Sequence, residues 1–181
     1  MPSSWSMLLR RELDNLARSK RAAGIYELPR VALVGIGNEF KADDIAGVLI
    51  ARDLIQNLNQ PESVLVLDAG TAPENITGSL RIFAPELVVL FDAVDMQQLA
   101  GQVVWLDFDT IEGSAGFTHA PDPSMLGGYL QGELGCRVAL IGIQPGSLEF
   151  DRPATPAVTA SARRVVEGIV KILMEMGYTL S

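Results

Sequence analysis

Residues 30–58 read RVALVGIGNEFKADDIAGVLIARDLIQNL, and this stretch decides the fold class. Arg30–Ile36 is a β-branched apolar run closed by Gly37, as expected of a strand buried on both faces. Asp44–Leu58 then carries Ile45, Val48, Leu49, Ile55 and Leu58 at helical spacing, with Asp43 placed to cap the helix. A second apolar run, SVLVL at 63–67, follows and is closed by Asp68-Ala69-Gly70. Strand, helix, strand is the unit of a parallel sheet covered by helices.

The same alternation continues toward the C-terminus. A short helix around 73–82 leads to LVVLF at 87–91, a third strand closed by Asp92. Residues 103–106 form a fourth strand, 123–134 a helix despite Gly127 and Gly128, and 137–143 a fifth strand. Thr155 caps a closing helix over 156–176, with Pro156 in its first turn. Its Val158, Ala162, Val165, Val166, Ile169, Leu173 and Met176 face the sheet. Only about ten residues separate strands three and four, too few for a helical crossover, so the strand near 103–106 runs antiparallel at an edge. The expected architecture is a three-layer α/β/α sandwich on a mostly parallel, twisted, five-stranded sheet.

Upstream, residues 4–22 form an amphipathic helix with Trp5, Leu8, Leu9, Leu13 and Leu16 on one stripe. Ser3 or Ser4 suits its start and Gly24 its end. The expected organisation is a helical extension over 1–29 and a single α/β domain over 30–181. Residues 1–30 hold six basic and three acidic groups, a net of +3, which leaves −11 for the remainder of a chain whose total is −8.

Composition removes several function classes. A fifth of the residues are charged and 48% are apolar, so the chain is not intrinsically disordered. One cysteine excludes a disulfide framework and a cysteine-rich zinc module. A pI near 4.6 argues against nucleic acid as a partner. No run of eighteen apolar residues is present and the N-terminus lacks the apolar core of a secretory signal, so no membrane span and a cytoplasmic location are expected.

In an open parallel sheet the carboxyl ends of the strands share one rim, where ligands bind. The acids fall there: Asp43 and Asp44 after strand one, Asp68 after strand two, Asp92 after strand three. The chain's one histidine, His119, lies in the loop GFTHAPDP leading to the helix before strand five. Carboxylates with one imidazole are a recurrent ligand set for a borderline divalent metal. Each residue also has a plainer reading. Asp44 can balance the helix macrodipole, Asp43 can cap, Asp68 can bind loop amides, and His119 can be a surface residue. Gly35 and Gly37 suggest a dinucleotide loop, but Phe40 stands where the third glycine belongs and Asp43-Asp44 would repel a pyrophosphate. Cys136 reads as a buried small residue.

The run Val34-Gly35-Ile36-Gly37-Asn38, followed by Asp43-Asp44 and Gly47, resembles the opening signature of the hydrogenase maturation endopeptidases. Asp68-x-Gly70-Thr71, Asp92-Ala93, Thr118-His119 and Gly142-Ile143-Gln144-Pro145 arrive in the family's order, across about residues 30–177. Ala72-Pro73-Glu74-Asn75 and the Gly142–Pro145 run are similar to the branch serving hydrogenase 3 of the formate-hydrogenlyase system.

The resemblance implies a hydrolase that trims the C-terminal extension of a nickel-iron hydrogenase large-subunit precursor. It also implies that Asp44, Asp92 and His119 are both the catalytic and the metal-binding residues. The expected metal is nickel carried by the precursor, with zinc or another divalent cation as a resident alternative. Asp68 and Asn38 would then position the site's backbone. Two other readings stand beside this one: a metal-binding maturation chaperone that does not cut, and a nucleotide- or cofactor-binding α/β enzyme.

Overall fold

The computed structural model describes residues 4–59, 61–108, 116–117 and 123–179. Strand β1 (Val31–Ile36) is buried along its whole length, because it runs between two parallel neighbours and under helices on both faces. β2 (Val64–Gly70) pairs on one side and β3 (Leu87–Asp95) on the other. β6 (Arg137–Ile143) continues the sheet in parallel, and β4 (Val103–Asp107) closes it as an antiparallel edge strand. The order is β2-β1-β3-β6-β4, so the expected mixed sheet and its reversed edge are both present. A two-residue strand, β5 (Gly116–Phe117), adds a sixth member against the end of β3.

Helices α1 (Trp5–Ala22), α2 (Ala46–Asn57) and α5 (Pro156–Glu175) contribute to the core on one face of the sheet. Helices α3 (Thr77–Phe83) and α4 (Pro123–Leu134) contribute to the core on the other. Odd-numbered β3 residues such as Val89 and Phe91 enter the first core, and even-numbered ones such as Val88 and Leu90 the second. The N-terminal helix shares the first core: Leu9 and Leu13 are fully buried, with Trp5, Leu8 and Leu16 packed beside them. The Trp5 ring lies over Gly168 of α5, where any side chain would collide with it.

Three local differences from the sequence reading matter for the site. First, β3 runs four residues past Phe91. Asp92 and Ala93 still pair with Gly142 and Ile143, and Val94–Asp95 then pair with β5. Asp92 is therefore inside a strand rather than at its end. Second, α2 begins at Ala46, after a single 3-10 turn over 42–45, so Asp43 does not cap it. Third, the buried face of α2 is made by Ala46, Gly47, Val48, Ile50, Ala51 and Leu54, while Ile55 is exposed. Small residues stand at Gly47 and Ala51 because the helix backbone approaches the sheet most closely there. A Cβ at Gly47 would sit on the carbonyl oxygens of Phe91 and Ile36, and one at Gly35 on the Gly47 oxygen and the Ala51 methyl.

Candidate active site

The close approach of α2 fixes the turn that precedes it. Gly47 lies against the Phe91 carbonyl, so the 42–45 turn is held beside the Phe91–Asp92 peptide. Asn38 N–H donates to the Asp44 carbonyl at 3.1 Å, and Asp44 N–H donates to Lys41 O at 2.9 Å. A Cβ at Gly37 would strike that same Asp44 carbonyl. The two glycines of the Gly35-x-Gly37 pair are thus used to pack α2 and the Asp44 turn, which removes the structural basis for a dinucleotide loop.

The four rim acids separate into distinct roles. Asp43 is completely buried and accepts from Gly146 N–H (2.7 Å), Ser147 N–H (2.9 Å), Thr155 N–H (2.5 Å) and the Thr155 hydroxyl (3.0 Å). It stitches the 146–155 loop and the start of α5 to the 42–45 turn. Thr155 occupies the N-cap position of α5, with its hydroxyl directed to Asp43. Asp68 projects to the α2 face, where its Oδ2 accepts from Arg52 Nε at 2.7 Å and its Oδ1 accepts from Gly70 N–H at 3.0 Å. Arg52 also donates to Glu39 at 3.1 Å, and these two carboxylates raise its pKa, the Asp68 hydrogen bond most.

Asp44 and Asp92 are 1% and 0% exposed, Asp44 in the turn that packs beside β3 and Asp92 within β3 itself. Asp92 alternates with Leu90 and Val94, which puts it on the α3–α4 face, opposite Asp68. Its Oδ1 accepts from Ala93 N–H at 2.8 Å. His119, the third expected ligand, lies outside the described residues. Among the described residues no group of three His, Cys, Asp or Glu is placed to hold a metal ion. The described chain reaches Phe117, which pairs with Val94, two residues past Asp92.

Sequence reasoning assigned no role to Gln144, which is buried at the end of β6. Its Oε1 accepts from Met96 N–H (2.7 Å) and Gln98 N–H (3.2 Å). Its Nε2 donates to Asp95 Oδ1 (3.2 Å) and Pro145 O (3.1 Å). The amide ties the exit of β3, just beyond Asp92, to the exit of β6. The Gln97 N–H and then the Gln144 amide hold the Asp95 carboxyl below its ordinary pKa. The signal was present in the sequence: an amide ending an otherwise apolar strand must find partners when buried.

A groove of about 290 Å³ opens next to the loop that precedes the Asp44 turn, between Gly37–Phe40, Arg52 of α2 and Gly70–Thr71. Larger concavities, of about 750 Å³ between α2 and α5 and about 570 Å³ beside α1, lie away from Asp44 and Asp92. Cys136 sits just before β6 at the end remote from the rim, with its thiol directed to Leu130 O at 3.7 Å and its pKa raised by burial. That is the environment of an inert thiol rather than a nucleophile.

Residues 48–172 match the sequence model of the hydrogenase maturation protease family, of the HycI type. The chain is 31% identical to the hydrogenase 3 maturation protease of Escherichia coli K12 over 137 residues, 75% of this chain and 85% of that protein. The chain belongs to the hydrogenase maturation protease family. The fold agrees: the crystal structure of the nickel-iron hydrogenase maturation protease HycI from Thermococcus kodakarensis KOD1 superposes with a TM-score of 0.75. That pair is 33% identical and covers 81% of this chain and 93% of the other. The maturating endopeptidase HybD of Escherichia coli gives a TM-score of 0.66 at 27% identity, over 82% and 94% of the two chains. This family member is a peptidase, and the HycI-type match bears out the branch suggested by residues 72–75 and 142–145. No helix among its described residues is long and apolar enough to cross a membrane.

Proposed function

We propose that this protease removes the C-terminal extension of a nickel-iron hydrogenase large-subunit precursor by engaging nickel already installed in that precursor. In this reading Asp44, Asp92 and His119 complete the coordination of the substrate's own metal. The observation that carries it is the burial of two carboxylates, Asp44 in the turn that packs beside β3 and Asp92 within β3, in a protein of this family. Two carboxylate donors and a neutral imidazole suit Ni²⁺, and the ion, when bound, supplies Lewis acidity.

The chain's own residues support that assignment. Asp44 is held by backbone hydrogen bonds from the turn around it, and the Ala93 N–H fixes the plane of the Asp92 carboxylate. His119 follows Phe117 by two positions in the sequence, and Phe117 pairs with Val94, two residues past Asp92. The buried setting of Cys136 argues against a thiol mechanism and leaves the hydrolysis to the carboxylates and the metal. The partner is a large-subunit precursor, and a cytoplasmic location fits the charge and hydropathy of the chain.

The test is incubation of the metal-free protein with nickel-loaded and nickel-free precursor, read by mass spectrometry of the large subunit. Loss of a short C-terminal peptide from the nickel-loaded form alone is the expected result. Equal cutting of both forms would remove nickel recognition. Tight binding without a mass change would favour the non-cutting chaperone. Stoichiometric zinc in an active preparation would make the metal resident.

A further inference from the structure

β3 and β6 run side by side as far as Ala93 and Ile143, and there they part. Val94 and Asp95 go on to pair with β5. The Gln144 main chain is engaged on the opposite side, toward β4. Its N–H donates to Gln102 O at 2.9 Å and its carbonyl accepts from Gly101 N–H at 2.8 Å. With one main-chain donor and one acceptor per residue, the backbone of Gln144 is used on that side.

The Gln144 side chain spans the gap to β3. Its carbonyl accepts from the N–H groups of Met96 and Gln98, and its NH₂ donates to Asp95 Oδ1 and Pro145 O. A primary amide has two acceptor sites and two donor hydrogens, so every bond it can make is used within the chain. At 6% exposure it has nothing left to offer a substrate or a metal. The turn it holds is strained. Gln97 has a left-handed φ of 56°, and its N–H donates to Asp95 Oδ1 at 3.1 Å. Such a conformation persists only where the surroundings over-determine it.

Asp92 lies immediately before the point where the strands part. Its own strand partner is Gly142, and its carboxylate takes its orientation from the N–H of Ala93, the last β3 residue paired with β6. Any rotation of the backbone beyond Ala93 therefore turns that carboxylate. We propose that Gln144 is a positioning residue for the hydrolysis, locking the 95–98 turn and, through it, the backbone that orients Asp92. The inference rests on the reading that Asp92 takes part in the reaction.

The test uses two replacements of similar length in the full chain. Gln144→Glu keeps the accepted bonds, removes both donors and sets a carboxylate against Asp95. Adding Asp95→Asn restores an amide–carboxylate pair with its direction reversed. Gln144→Met removes all four bonds and gives Asp95→Asn nothing to pair with. On nickel-loaded precursor, each single change at 144 should lower kcat about 10–100-fold at unchanged KM, the loss typical of a group that orients a metal ligand. Asp95→Asn should return kcat to near the wild-type value in the Gln144→Glu background and not in the Gln144→Met background. A general loss of stability would not show that selectivity. In the metal-free protein, the Ala93 amide resonance should shift in both single variants and return in the Gln144→Glu, Asp95→Asn pair. If Gln144→Glu fails to fold, the pair and Gln144→Met carry the comparison. Unchanged kcat, a rise in KM alone, a loss that Asp95→Asn does not reverse, or an Ala93 resonance that stays in place would each overturn the inference. A wild-type chain that never cuts fails the protease reading, and the Ala93 resonance still decides whether Gln144 positions Asp92.

Discussion

The Asp43 carboxylate accepts two hydrogen bonds from Thr155, one from its backbone N–H at 2.5 Å and one from its hydroxyl at 3.0 Å. Together with the N–H groups of Gly146 and Ser147, this bond set ties the start of the last helix to the turn carrying Asp44. Asp43 therefore acts through structure.

Replacing Asp43 with Asn tests this role. The amide's NH₂ would face donors, and charge-assisted hydrogen bonds in a buried site would be lost. We expect a destabilisation of about 2–4 kcal/mol, read as a lower urea midpoint at unchanged m-value. A shift below about 0.5 kcal/mol would show that the 146–155 loop is held by other means.

Asp44→Asn, Asp92→Asn and His119→Ala should each stop precursor processing. Changing groups that only orient ligands costs 10–100-fold, so losing a ligand should exceed about 100-fold. The measurement is the rate of peptide release, alongside a folding check by circular dichroism. Normal turnover in any one variant would remove that residue from the site.

Gly47→Ala should be poorly tolerated, because its Cβ would land on two backbone oxygens that have no room to retreat. Overpacking of this kind costs about 1–3 kcal/mol, and displacement of the Asp44 turn should lower activity as well. Gly128→Ala is the matched control. Gly128 lies inside α4 with nothing near its missing Cβ, so that variant should gain about 0.5–1 kcal/mol. Equal effects of the two changes would refute the close-packing account.

Leu13→Ala addresses the N-terminal helix. Leu13 is completely buried in the main core, although it lies outside the residues matched by the family model. A loss of about 2–5 kcal/mol is expected in chemical denaturation. A loss under about 1 kcal/mol would mean that α1 packs only superficially.

Cys136→Ser should leave processing intact, and the native thiol should alkylate far more slowly at pH 8 than in denaturant. Burial raises its pKa, so little thiolate forms at that pH. Abolished processing in a folded Cys136→Ser protein would instead call for a thiol mechanism.

The local pattern of the chain was enough for the layers. β-branched runs alternating with helical stripes made the parallel sheet legible, and the short link before Val103 made the reversed edge strand legible, since a helix needs more residues than that link provides. The stripe on α2 was partly right, since Val48 and Leu58 are buried, but Ile55 is exposed and Ile50 and Leu54 take the core positions. The helix packs closest at Gly47 and Ala51.

Four acids after three strand ends could be seen in the sequence, but not what distinguishes them. Asp43's partners lie 103 to 112 positions away, so no local pattern could tell a clamp from a cap. Asp68 and Asp92 sit near the same rim yet point to opposite faces, because each follows the alternation of its own strand. Sequence alone determined which chemical groups reach the rim, since that depends on where apolar runs stop. Only the tertiary structure decided that Asp43 is used in holding loops and Asp68 in holding Arg52, because hydrogen bonds between distant segments exist only once the sheet and helices are packed.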